Sequence, residues 1–140
     1  QAPGNMSIEQ KFPVSIEVQL LGAKEDEHRT TGNLCTPGTH VSLGSRLITR
    51  HCINSLSSSI SGDQWVVLEL EVRGNHIIRH YVNGQLVLQY SSPVLDFWSS
   101  DARNVFHDND SKIELSDGYI ALQSESHPVQ FKNIKVLPLL

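Results

Sequence analysis

Apolar and polar residues alternate along much of the chain, which is the pattern of strands with one buried face. In Ser15–Leu20 every second residue is apolar, and Glu17 and Gln19 lie on the opposite, polar side. Trp65–Arg73 repeats this pattern over a longer stretch. The alternation therefore predicts a half-buried strand at each place.

Turn residues separate the stretches that follow residue 73. Gly74-Asn75 leads into His76–Val82, and Asn83-Gly84 leads into Gln85–Tyr90. Asn-Gly between two alternating stretches is a strong hairpin signal, because both turn residues must take positive φ. We therefore predict a three-stranded antiparallel meander over Trp65–Tyr90.

The rest of the chain predicts shorter strands and one long loop. Val41–Leu43 and Leu47–Arg50 have the pattern of a hairpin, Tyr119–Gln123 and Val129–Val136 that of two last strands, and Pro93–Ser116 is polar and irregular. No stretch shows sustained helical periodicity. Many short strands separated by turns predict an all-β fold, either a sandwich or a barrel, and the chain of 140 residues fits a single domain over residues 1–140.

Charge and hydropathy exclude two classes of protein. The net charge is −4, and Lys and Arg form no run. A nucleic-acid backbone is bound by a basic surface, so we expect no nucleic-acid partner. No apolar stretch reaches the roughly 18 residues that a membrane-spanning helix needs.

Two cysteines, Cys35 and Cys52, flank a segment rich in Gly, Ser and Thr. An even number of cysteines at hairpin distance fits a disulfide that closes a loop. A disulfide indicates an oxidising compartment, hence a periplasmic, secreted or cell-surface protein. The alternative is a pair of buried free thiols in a cytosolic protein.

Seven segments, in this order and spacing, resemble the 3-keto-disaccharide hydrolase family. They are Ser15–Gly22, Thr31–Thr39, Gly62–Trp65, Gly74-Asn75, His80–Gly84, Gly118–Glu125 and Val129–Ile134. The resemblance implies a bacterial protein with an antiparallel β-sandwich, a concanavalin A-like jelly roll that is related to lectins and glucanases. Members of the family usually carry further strands before the Glu-x-Gln strand, and these N-terminal strands are not recognisable here. Either another chain or segment supplies them, or the protein is cleaved, or this member of the family differs.

The resemblance also implies a carbohydrate substrate oxidised at C3. A ketone at C3 acidifies the C2 hydrogen, so that a base can remove it and the C1 substituent leaves by elimination or hydrolysis. The group that holds the enolate oxygen could be a divalent metal, an Arg or an amide, and no cofactor is certain. The alternative functions are a non-catalytic carbohydrate-binding module and a structural β-sandwich, because the fold alone does not separate them.

Two residues are candidates for the catalytic groups. Glu17 coincides with the family motif and points away from the apolar side of its strand; the alternative is a solvated strand face. His80 shares a face with Ile78 and Val82. It could act as a proton shuttle, although a lone histidine on an apolar face is more often a core residue with satisfied hydrogen bonds.

Other polar residues are candidates for binding. We predict that Gln19, Arg50, Gln123 and His127 contact the substrate, with an exposed polar surface as the alternative for each. His51, beside Cys52, is a weaker candidate. The group His107, Asp108 and Asp110 offers nitrogen and oxygen ligands for a metal, but its spacing fits no calcium or zinc signature, and a solvated loop is the alternative.

Overall fold

The structure, a computed structural model, describes residues 8–9, 11–108, 111–125 and 127–139. Its strands form two antiparallel sheets, one of three strands in the order β1-β2-β5 and one of five in the order β4-β3-β8-β7-β6. The predicted all-β sandwich is confirmed. The strands are β1 (Glu17–Gln19), β2 (Asn33–Cys35), β3 (Thr39–Leu43), β4 (Arg46–Ile48), β5 (Cys52–Ile53), β6 (Leu68–Arg73), β7 (Ile77–Val82) and β8 (Gln85–Leu95).

The core lies between the two sheets. Leu34 and Ile53 of the small sheet are buried together with Val41, Ile78 and Tyr90 of the large one. In β2 this leaves Leu34 facing the core and its two neighbours facing the other way, as strand geometry requires. Asn33 and Cys35 therefore lie on the outer face of the small sheet, where both are buried.

The predicted meander is confirmed as β6, β7 and β8. Asn83 and Gly84 take positive φ values of 49° and 79°, as the Asn-Gly signal requires. The third strand is longer than predicted, because its second half leaves β7 and pairs with β3, with Thr39 opposite Leu95. β8 therefore joins the meander to the β3–β4 hairpin, which the sequence also predicts correctly.

The prediction of an irregular loop over Pro93–Ser116 is wrong in part, because it contains the helix α1 (Ser100–Asp108). The Oγ atom of Ser99 caps it by accepting a hydrogen bond from the amide of Ala102 at 3.3 Å. Ala102 is buried against Val14 and Leu95. A helix of nine residues is too short to show clear periodicity in the sequence. Among the described residues, no helix has the length and apolar character needed to cross a membrane.

The two strands predicted over Tyr119–Gln123 and Val129–Val136 are wrong: apart from an isolated bridge at Tyr119, neither stretch forms a strand. Alternation yields a strand only where an open sheet edge accepts it. Ile120 and Val136 remain 80% and 75% exposed. The second of these stretches contacts the rest of the molecule through Lys132, whose Nζ atom lies 3.7 Å from the centre of the Trp65 ring.

The outer face of the large sheet carries a charged cluster around Glu71. Its carboxylate accepts hydrogen bonds from Arg73, from Arg79 at 2.9 Å and from the Tyr81 hydroxyl at 3.2 Å. The hydrogen bonds from Arg73 and then Arg79 lower the pKa of Glu71 from 4.5 to about 2. The cluster thereby links neighbouring strands β6 and β7.

We predict that this cluster stabilises the fold in a pH-dependent way. Because the folded-state pKa of Glu71 is depressed, its contribution is complete above pH 4.5 and is lost as the pH falls through about 2. Urea unfolding of wild type and Glu71→Gln across this range should show a stability difference that disappears in acid. Glu69→Gln, on the same face of β6, is the control; an equal pH dependence in both variants would contradict the prediction.

Candidate functional site

Three side chains form a row across the outer face of the small sheet. Glu17 of β1 is in register with Cys35 of β2, which is in register with Cys52 of β5. Residues opposite each other in antiparallel strands point to the same side of the sheet. Leu34 and Ile53, one position along, face the core. The row therefore belongs to the face turned away from the core.

The predicted disulfide between Cys35 and Cys52 is confirmed, with their Cα atoms 4.2 Å apart. It joins adjacent strands β2 and β5 directly beside Glu17. The backbone of the neighbouring His51 is held by Thr36. The His51 carbonyl accepts hydrogen bonds from the Thr36 amide at 2.8 Å and from the Thr36 hydroxyl at 3.1 Å. The disulfide is compatible with an extracellular or periplasmic protein.

A cavity of about 200 Å³ lies over this row. The disulfide forms part of its wall, and the other groups combine carboxylates, an imidazole, an amide and one aromatic ring. The lining residues are Phe12, Glu17, Gln19, Cys35, Pro37, His51, Cys52 and Glu125. Convergent polar groups in a concave site are what a small polar ligand requires.

The electrostatics of the cavity act on Glu17. Partial burial raises the pKa of its carboxyl, and the negative charge of Glu125 raises it further. The positive charge that His51 carries when protonated acts in the opposite direction and lowers it. Glu17 is thus a carboxylate whose affinity for a proton exceeds that of an ordinary glutamate, which is the property of a general base.

The comparison with protein families identifies the chain. A family model described as a 3-keto-alpha-glucoside-1,2-lyase-like domain matches residues 3–137. The chain belongs to this family. The match spans nearly the whole sequence and confirms the resemblance seen in the seven segments. No curated protein and no solved structure matches the chain significantly.

In this 3-keto-alpha-glucoside-1,2-lyase-like domain, the predicted binding residues separate into two groups. Gln19 lines the cavity beside Glu17. Arg50, Gln123 and His127 are exposed and are not among the lining residues, although each is within two positions of one, His51 or Glu125. Their contact with substrate stays a prediction.

The structure places His80 away from the cavity, at the interface between the two sheets. Its side chain is fully buried. Nδ1 lies 2.8 Å from the carbonyl oxygen of Gly32, and Nε2 lies 3.0 Å from the hydroxyl of Tyr90. A carbonyl only accepts, so Nδ1 donates and the Tyr90 hydroxyl donates to Nε2. Burial lowers the pKa of His80, with the bond to Gly32 opposing this, which favours the neutral ring.

A catalytic base must reach the substrate. His80 contacts neither the cavity nor solvent, so its predicted catalytic role stays a prediction that this position does not support. The arrangement fits the alternative, a core histidine with both nitrogens hydrogen-bonded.

We therefore predict a structural effect for His80→Leu. The substitution leaves the Gly32 carbonyl and the Tyr90 hydroxyl buried without partners, at a cost of about 2–5 kcal/mol in the free energy of unfolding. Tyr90→Phe, which leaves only one ring nitrogen unpaired, should cost about 1–3 kcal/mol. Urea denaturation measures both. His76→Leu, at an exposed turn, is the control and should stay within about 0.5 kcal/mol of wild type; equal losses for His76→Leu and His80→Leu would contradict the assignment.

The predicted metal ligands lie at the end of α1. His107 and Asp108 are exposed, the His107 ring packs edge-on against Phe106 at 5.6 Å, and Asp110 lies outside the described residues. Within the described ranges, no group of three or more His, Cys, Asp or Glu residues is placed to hold a metal ion. The metal site stays a prediction.

Two ionisable residues of the cavity, His51 and Glu125, were not among the principal candidates. His51 stands next to the predicted Arg50, and Glu125 stands two positions before the predicted His127. For His51 the available signal was its position beside Cys52. For Glu125 it was its place at the end of the family segment Gly118–Glu125, although no local pattern indicates that this segment reaches the small sheet.

Proposed function

We propose that this chain cleaves 3-keto-glycosides in the cavity over Glu17, by removal of the C2 proton and loss of the C1 substituent. The observation that carries the proposal is the raised pKa of Glu17 within a cavity that Glu125 and His51 share. The family supports it, because its description is that of a lyase acting on 3-keto-glucosides. The disulfide supports activity in the periplasm, at the cell surface or outside the cell.

Glu17 is the base. The C2 hydrogen of a 3-keto sugar is only weakly acidic, so a carboxylate with an ordinary pKa is a poor match for it. Raising the pKa of the carboxyl towards the working pH increases the driving force for proton transfer while a useful fraction stays ionised. Burial and the charge of Glu125 supply this increase.

The elimination proceeds with each proton and electron pair accounted for. Glu17 takes the C2 proton, and the C–H electron pair passes into the enolate of the C3 ketone. The enolate then forms the C1–C2 double bond, and the C1–O bond breaks with its electrons on the leaving oxygen. His51, as imidazolium, gives that oxygen a proton, and the Gln19 amide donates a hydrogen bond to the enolate oxygen. Exchange with water restores both groups, and addition of water to the double bond completes hydrolysis.

We predict that Glu17→Gln strongly lowers the cleavage of 3-keto-glucosides. Wild type should cleave a 3-keto-glucoside and leave the matching unoxidised glucoside intact, because only the ketone acidifies C2. Loss of the base should lower kcat by about 10²–10⁴-fold. Product release measured by chromatography, with and without a chelator, tests this; sensitivity to the chelator would add a divalent metal to the site.

Glu25→Gln, at an exposed loop position, is the control for this experiment and should retain activity. Cleavage of both sugars, or of neither, by wild type would overturn the proposal. Binding of sugars without cleavage would leave the carbohydrate-binding module as the function.

The charges around Glu17 predict two opposite effects on its ionisation. Glu125→Gln removes a like charge and should lower the pKa of Glu17, whereas His51→Gln removes an opposite charge and should raise it. Carbon NMR of the labelled Glu17 carboxyl during a pH titration reads this pKa without any need for activity. His28→Gln, at an exposed loop position, should leave it where it is; shifts in the same direction for Glu125→Gln and His51→Gln would contradict the assigned electrostatics.

A further inference from the structure

The edge strand of the large sheet, β6, has an apolar side that the rest of the fold leaves half uncovered. Leu70 and Val72 are each 44% exposed, although they are in register with His80 and Ile78 of β7, which are buried. Residues opposite each other in antiparallel strands point to the same side of the sheet, so this side of β6 is the one that faces the core. The small sheet packs on Ile78 and leaves its neighbours on β6 partly in solvent.

The backbone edge of β6 is open as well. Of the strands that the structure describes, only β7 pairs with β6. An open edge presents unpaired N–H and C=O groups, to which another segment can bond as an added strand. Because the apolar side of β6 is also half exposed, the segment that fits this edge is one whose apolar residues all point to one side.

Residues 129–136 of the same chain, here called the 129–136 stretch, have the pattern of such a segment. Asn133 has a positive φ of 55°. A residue with positive φ is what one type of β-bulge requires, in which two residues of one strand oppose a single residue of the partner strand. With Asn133 as the extra residue, the apolar side chains all fall on one side of the stretch; they are Val129, Phe131, Ile134 and Val136.

The apolar side of the 129–136 stretch is not buried against its own chain. Ile134 and Val136 are 66% and 75% exposed, and Val129 and Phe131 are exposed as well. The charge of the stretch also fits a second copy of the chain. Its only charged residues are two lysines, whereas the whole chain has a net charge of −4, so the basic stretch is attracted to an acidic partner.

We infer that two copies of this chain form a dimer in which the 129–136 stretch of each copy pairs with the open edge of β6 in the other. Each copy carries one open edge and one unpaired stretch, so a two-fold axis satisfies both at once. The apolar side of the stretch then continues the apolar side of β6 formed by Leu70 and Val72, and both surfaces leave water. The dimer does not depend on the proposed function, because neither segment lines the cavity over Glu17.

Sedimentation velocity of the whole chain over a wide range of concentrations tests this dimer. Wild type should sediment with twice the mass of one chain. Ile134→Asp places a charge on the pairing side and should raise the dissociation constant of the dimer about tenfold or more, the effect of losing one buried isoleucine. Leu70→Asp should act in the same direction from β6. Leu56→Asp, at a leucine that is 88% exposed and outside both segments, is the matched control and should leave the constant unchanged.

A mixture of the two variants separates this exchange from other kinds of dimer. Each contact joins β6 of one copy to the 129–136 stretch of the other, so a dimer of either variant has a defect in both contacts. A mixed dimer of one Ile134→Asp chain and one Leu70→Asp chain keeps one contact intact. The mixture should therefore associate more tightly than either variant alone.

Hydrogen exchange locates the contact and keeps the inference falsifiable if Leu70→Asp, closer to the core, fails to fold. In wild type the amides of β6 and of the 129–136 stretch should gain protection as the protein concentration rises. A wild type that stays monomeric, or a dimer that Ile134→Asp leaves intact, overturns the inference. Protection of the stretch that is equal at all concentrations also overturns it, because the stretch would then pair within its own chain.

Discussion

One hydrogen bond of the buried His80 side chain joins the large sheet to the start of the small one. The ring on β7 bonds to the carbonyl of Gly32, just before β2, and to the hydroxyl of Tyr90 on β8. Gly32 has a φ of +67°, and a Cβ atom there would lie 2.9 Å from a methyl group of Val82. Only glycine can take this conformation so close to the large sheet without strain. The contact therefore fixes where β2 begins.

The position of β2 in turn determines the geometry of the site. Asn33 follows Gly32, and its side chain is buried. The Oδ1 atom of Asn33 accepts hydrogen bonds from the Thr30 hydroxyl and from the backbone amide of Ser55, the latter at 2.8 Å. These bonds fix the register of β2 with the segment that leads out of β5. Cys35, two residues further on, is thereby placed opposite Glu17. The hydrogen bond between His80 and Gly32 in the core thus helps to set the position of the Glu17 carboxylate on the outer face of the small sheet. The Cys35–Cys52 disulfide then fixes β2 to β5 beside it.

The sequence predicts those parts that depend on neighbours along the chain. The meander follows from alternation and Asn83-Gly84, and the polar side of β1 follows from the same alternation, which places Glu17 and Gln19 together. The cavity also needs Glu125, which comes from a distant stretch, and no local pattern reports such a contact. The strands predicted at the C-terminal end fail for the same reason: alternation in Tyr119–Gln123 specifies a face but no partner. The helix α1 is not predicted, because two and a half turns with one buried alanine give too little helical periodicity in the sequence.

Two carboxylates of this sandwich have pKa values shifted in opposite directions, and the cause is their surroundings rather than their residue type. Glu71, on the outer face of the large sheet, accepts hydrogen bonds from two guanidinium groups, so folding favours its ionised form. Glu17 is partly buried beside Glu125, so folding disfavours its ionised form. Because the folded-state pKa of Glu17 is raised, its effect on stability becomes unfavourable as the pH rises through that pKa, whereas Glu71 contributes stability over the same range. Glu17 thus combines a raised pKa with a position in the wall of a cavity, which is the combination that the proposed base requires.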